Sequence, residues 1–176
     1  MTSVLRRLAL AAALPLLAAA GLLPDEPEPE PPAFLHLPSG EPLDLTPLPG
    51  EVPGEAVGQF LRSGRNPYRE DAAAIAAGRL LYRRHCSFCH LYDGSGGNAP
   101  PLDRAEWVYA TSAEDAGMFS IVYGGGFGAM RSWKRHGMTQ DQVLRVIAYV
   151  RRLAVPGPER EEARRAAAMA SGPGVH

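Results

Sequence analysis

Cysteine is nearly absent from this 176-residue chain, which holds two, Cys86 and Cys89, with two residues between them. A disulfide across so short a loop would restrict little of the unfolded chain. A disulfide-stapled fold is therefore excluded, and the thiols are left for chemistry. Long apolar runs are missing as well. The longest, residues 8–23, has sixteen residues and contains Pro15, short of the ~20 that a spanning helix requires. Neither charge sign dominates: 18 basic and 19 acidic side chains leave a formal charge of −1, without the basic excess that marks a nucleic-acid partner. No stretch alternates apolar and polar residues convincingly enough to predict a strand, which points to an all-α domain. The mean hydropathy is −0.15, and large apolar side chains are few. A small core of that kind often needs a covalent or metal-based addition.

What is present divides the chain into five segments. Residues 1–20 carry Arg6 and Arg7, an apolar run and then Ala18, Ala19 and Ala20, the pattern of a cleaved export signal. Retention of that run as a membrane anchor is the competing expectation. Residues 21–32 include PDEPEPEPP, an acidic Pro-rich spacer with nothing to bury. Residues 33–70 are rich in Pro and Gly and predict an irregular arm, with one helical turn at EAVGQFLRSG. An arm this long must lie against something or be a binding surface. Residues 71–155 form the helical core, and residues 156–176 read as a tail in which Glu161 and Arg165 fit a short helix.

Three helices are predicted in the core. Asp71 caps the first, with Ile75, Gly78 and Tyr82 on one face. The second starts at Ser112 in a box with Asp115, turns Met118, Ile121 and Val122 inward, and stops at Gly124, Gly125 and Gly126. The third has a capping box of Thr139 and Gln142, a stripe of Val143, Val146, Ile147 and Val150, and Pro156 beyond its end.

The chemistry lies in CSFCH: Cys86, Cys89 and His90. Two thiols one helical turn apart, followed at once by an imidazole, form the attachment signature of haem c. Each thiol can add to a haem vinyl group, and the histidine meets the iron from the same side. A zinc site would need a fourth ligand and usually a second Cys pair. A redox-active pair would sit in a strand–helix unit, and none is predicted here. The iron has a second axial position, and the loop GAMRSWKRHGMT offers Met130, His136 and Met138. Thioether sulfur there favours ferrous iron. Met138 directly precedes the cap Thr139, where a packing residue belongs, and His136 sits in a polar, basic stretch. An open sixth position is the remaining alternative.

The order GRLLYRRHCSFCH, APPL, GAM and a capped terminal helix resembles a class I cytochrome c. That resemblance implies an all-α fold of three to four helices around one covalently bound haem. It makes His90 the proximal ligand, Met130 the distal one and Pro100 the carbonyl donor to the His90 ring. A narrower resemblance rests on PSGEPLDL, FLRSGRNPY, EWVY and IVYGGGFGAM, which are similar to the cytochrome c-L family. Its members are periplasmic electron acceptors of quinoprotein methanol dehydrogenases, including lanthanide-dependent ones. The resemblance spans roughly residues 33–153. It implies a periplasmic electron carrier rather than an enzyme, with a pyrroloquinoline-quinone (PQQ)-dependent alcohol dehydrogenase as donor and a downstream cytochrome or oxidase as acceptor. A general class I shuttle, and a haem sensor or enzyme with an open sixth site, are the alternatives.

In some relatives a His three residues after the loop Met takes the sixth position. Trp133 stands there in this chain, which favours Met130. Two departures are visible: the proline turn reads NAPPLD, and the loop is basic, with Arg131, Lys134, Arg135 and His136 expected either as a docking rim or as charges that neutralise haem propionates or stay solvated. Trp107 and Tyr109 are candidates for hydrogen bonds to a haem propionate, with edge packing as the competing expectation. Some relatives hold calcium, but no cluster of carboxylates in this sequence fixes one.

Overall fold

Asp71 begins the core as its sequence predicts. The Asp71 carboxylate accepts the Ala74 N–H at 2.9 Å and opens helix α2, Ala72–His85, in a computed structural model that describes residues 32–170. The export signal and all but the last residue of the acidic spacer lie outside the described residues. One face of α2 buries Ala74, Ile75, Gly78 and Tyr82. That face meets helix α5, Gln140–Leu153, whose capping box of Thr139 and Gln142 is fully formed. The predicted α5 stripe is buried, with Val143 and Ile147 at 0% exposure. The two helices cross at Gly78, where an added Cβ would stand 2.0 Å from the Arg145 carbonyl oxygen. Only glycine allows that approach. Beyond the crossing, the Tyr82 and Tyr149 rings pack edge to face at 5.3 Å.

The third wall of the core is helix α4, Asp115–Gly124. It differs from the sequence expectation at its start. Ser112 and Asp115 make no capping box: Ser112 falls in a 3-10 turn, Ala110–Ala113, and Glu114 takes the cap position without a side-chain bond. Asp115 is instead drawn inward by partners distant in sequence. It accepts from Arg151 Nε at 3.0 Å and from the Asn66 amide at 3.0 Å, with only 4% of its surface exposed. A buried carboxylate needs such charge-assisted bonds, so ion pairing outcompetes the cap. Met118 and Ile121 do face inward, and Gly125 ends the helix.

The arm is more ordered than its composition suggests. Residues 55–63 form a full helix, α1, Glu55–Ser63, where a single turn was expected. Val57 and Phe60 on α1 are at 0% exposure. Phe60 meets Phe119 of α4 at 4.9 Å and Phe34 at 5.3 Å. This aromatic cluster supplies the burial that Pro-rich sequence alone lacks. A lone bridge joins Leu35 and Pro42, and among the described residues there is no other β structure. The segment expected as a tail forms helix α6, Pro158–Ala170. It docks through buried Ala163 and through Glu162, which pairs with Arg79 of α2. Arg165 reaches the Glu161 backbone carbonyl rather than its carboxylate. Among the described residues, no helix is long and apolar enough to cross a membrane.

Candidate haem-attachment site

Helix α2 ends at the motif. Cys86 caps it, and its N–H still reaches the Tyr82 carbonyl at 2.8 Å. A single turn, α3, Ser87–His90, then places Cys86, Cys89 and His90 on one loop of backbone. The two thiols are not joined to each other. Burial and the neighbouring Cys89 push the Cys86 thiol up to about 12. A redox-active thiol shows the opposite, a value lowered below ~8.5. This local environment therefore argues against disulfide-exchange chemistry.

His90 is fixed by its own loop. Its Nδ1 lies 2.9 Å from the Pro100 carbonyl oxygen. A carbonyl only accepts, so Nδ1 carries the proton and Nε2 keeps its lone pair. Burial holds the imidazole below its ordinary range, with the Pro100 bond opposing, and it stays neutral and able to ligate metal. The His90–Pro100 bond forms within the unusual NAPPLD turn.

Several residues that fix this loop are not evident from the motif. Gly94 accepts at its carbonyl from the Leu102 and Asp103 amides at 2.6 and 3.0 Å. Gly96, at φ 88°, leaves no room for a Cβ against the Ala99 carbonyl. Asp103, 6% exposed, faces Arg104 and Arg160, tying the loop to α6. Leu91, directly after His90, has φ 61° and ψ 166°, a region that side chains other than glycine avoid. The Tyr82 hydroxyl donates to the Leu91 carbonyl at 2.8 Å and holds it there. No local sequence signal marks Leu91 as strained.

The Met130 loop folds back over the end of α4. Gly126 N–H donates to the Met130 carbonyl at 2.9 Å, Trp133 N–H to the Val122 carbonyl at 3.1 Å, and Ser132 Oγ to the Tyr123 carbonyl at 2.8 Å. Met130 is half-buried. Met138 is 3% exposed and belongs to the core. His136 is exposed, bonded through Nδ1 to the Ser132 carbonyl at 2.9 Å and facing Arg131 through Nε2. Trp133 brings this loop to the motif: its ring packs against His85, the residue before Cys86, at 5.1 Å. The Met130 loop therefore lies beside the C-terminal end of α2 and the start of the motif.

The basic loop does not present its charges as expected. Lys134 is turned back, its ammonium 2.7 Å from the Asp44 carboxylate and donating to the Asp44 carbonyl at 2.9 Å. The exposed cations are Arg131 and Arg135. Trp107 is half-buried under the Arg151 guanidinium, 5.2 Å from its ring centre, and Tyr109 meets Phe127 at 6.0 Å. Among the described residues, no group of three His, Cys, Asp or Glu side chains could hold a metal ion.

The donor set suits one group. Two unpaired thiols one turn apart and a neutral imidazole with Nε2 free match covalent haem. They do not match tetrahedral zinc, which favours four N or S donors.

Comparison with known proteins agrees. The sequence model of the family described as cytochrome c oxidase, cbb3-type, subunit III matches residues 73–150. Cytochrome c-L of Methylorubrum extorquens is 32% identical over 131 residues, which cover 73% of this chain and 64% of that protein's length. The crystal structure of cytochrome cL from the marine methylotrophic bacterium Methylophaga aminisulfidivorans superposes with a TM-score of 0.64 at 34% identity, covering 68% of this chain and 79% of that one. Cytochrome cL from Hyphomicrobium denitrificans gives 0.60 at 32% identity, covering 69% and 73%.

Proposed function

The chain belongs to the cytochrome c-L family, and on that premise we propose that it is a periplasmic carrier of single electrons with one covalent haem c. Its donor is a PQQ-dependent alcohol dehydrogenase, and its acceptor a downstream cytochrome or oxidase. The 2.9 Å bond from His90 Nδ1 to the Pro100 carbonyl, beside two unpaired thiols, carries the reading. It leaves the Nε2 lone pair free, with two free thiols within a turn of it.

Each residue then has a defined task. Cys86 and Cys89 would form the thioether links to the haem, and His90 Nε2 and the Met130 thioether would ligate its iron, sulfur ligation favouring the reduced state and raising the potential. Trp107 would donate its indole N–H to a propionate. The haem, when bound, contributes a reversible one-electron couple. Arg131 and Arg135, exposed beside the Met130 loop, steer a transient docking that weakens as salt rises. The export signal in residues 1–20 delivers the chain to the periplasm.

A second reading has its own support. The match over residues 73–150 takes in the cytochrome core alone, as a general respiratory shuttle would. Stopped-flow mixing of the oxidised holoprotein with a reduced PQQ-dependent alcohol dehydrogenase decides between them. Fast reduction that slows with salt is expected. No reduction by that enzyme, with normal reduction by a respiratory donor, would favour the shuttle.

A further inference from the structure

We propose that residues 42–51 of the arm act as a strap that positions the Met130 loop, with Asp44 and Lys134 as its clasp. This rests on the reading above for the role of Met130. Lys134 is the only lysine in the chain, and it sits midway between Met130 and Met138. Its side chain is 82% covered, and its ammonium meets the Asp44 carboxylate at 2.7 Å and the Asp44 carbonyl at 2.9 Å, and lies 5.6 Å from the Tyr123 ring centre. A compact ammonium with three donors fits these acceptors in a way that a planar guanidinium would not.

The strap is bound at other points along its length. Leu43 packs against Gly124, where an added Cβ would come within 2.5 Å of its side chain. Gln140 Nε2 donates to the Leu45 carbonyl at 2.6 Å. Glu51 accepts the Gln140 N–H at 3.0 Å, at the positive end of α5, and the Leu48 N–H at 2.8 Å. The strap therefore grips both elements that bound the Met130 loop, the end of α4 and the start of α5. The loop is otherwise tied to the end of α4 through the Met130 carbonyl, Trp133 N–H and Ser132 hydroxyl, and the clasp adds a hold from the arm, placed to limit its opening. A thioether is a weak ligand, easily exchanged when its loop moves.

The test uses the holoprotein carrying Asp44→Ala, Lys134→Met or both. Three readouts are taken: hydrogen exchange of the amides of residues 131–137, imidazole affinity of the oxidised protein, and the weak red sulfur-to-iron band. Each single variant should speed loop exchange and raise imidazole affinity roughly three- to tenfold, the scale of one charge-assisted contact. The double variant should match either single one, because both remove the same clasp. Unchanged loop exchange would overturn the strap. So would faster exchange with unaltered imidazole affinity, which would confine the clasp to holding the arm. Met130→Ala is the reference: if it leaves imidazole affinity at the parent value, the ligand assignment fails independently of the strap.

Discussion

Alanine at Gly78 is a severe test of the α2–α5 crossing. The new Cβ would stand 2.0 Å from the Arg145 carbonyl oxygen, 2.6 Å from its carbonyl carbon and 3.2 Å from Tyr149 Cβ. Ordinary van der Waals contact begins at 3.4 Å. The two closest atoms are backbone in the middle of α5, so no rotamer change relieves them, and the helices must part by roughly 1 Å. In favour of alanine is its helix propensity, worth about 1 kcal/mol over glycine. Against it is overpacking, typically about 1–3 kcal/mol. Lost dispersion along a seam that includes Ile75, Tyr82 and Tyr149 adds to that cost. The net loss should be about 2–3 kcal/mol, which lowers Tm by roughly 10 °C in a circular-dichroism melt. Ala76→Gly, at an exposed position of the same helix, should cost only about 1 kcal/mol. A Gly78→Ala protein as stable as the parent would refute the close crossing.

Other perturbations separate local strain, buried charge and titration. Leu91→Gly should be neutral or stabilising by about 1 kcal/mol, since glycine relieves the positive φ and Leu91 is already 43% exposed; a clear loss in chemical denaturation would deny the strain. Asp115→Asn should cost about 3–5 kcal/mol, because Arg151 would be left buried without its counter-charge; a change under about 1 kcal/mol would contradict this. Asp44 is held well below its ordinary value of 3.8, first by the Lys134 bond and then by the Thr46 amide. A depressed carboxylate stabilises fully above its unfolded value and is lost as pH falls below it. Protection of the residue 131–137 amides should thus be steady above about pH 5 and fall in acid. Asp44→Asn should lack that acid step.

Much of the core and the centre of the site are legible in the sequence because they rest on short-range rules. The Asp71 cap, the Thr139–Gln142 box and the α5 stripe are each set by residues within one or two turns. The attachment motif is equally local, and Met138 and His136 take the packing and surface positions that their neighbours imply. What the sequence conceals is set by distant partners. Ser112 and Asp115 have the spacing of a cap, but Arg151 and Asn66 claim Asp115 from 36 and 49 residues away. Lys134 reads as a solvated cation until Asp44, 90 residues earlier, is folded against it. The arm looks irregular because Pro and Gly dominate it, and only the Phe34, Phe60 and Phe119 cluster explains why α1 forms.

The central claim is covalent haem on Cys86 and Cys89, and one measurement reaches it without reference to where the mature chain begins. Tryptic cleavage after Arg84 and Arg104 yields a peptide of residues 85–104 that contains both thiols, His90 and Pro100. Mass spectrometry of the protein matured in an exporting, haem-attaching host should find that peptide heavier by one haem, with absorbance near the Soret region. The same peptide recovered bare, with free thiols or a disulfide, would contradict the account.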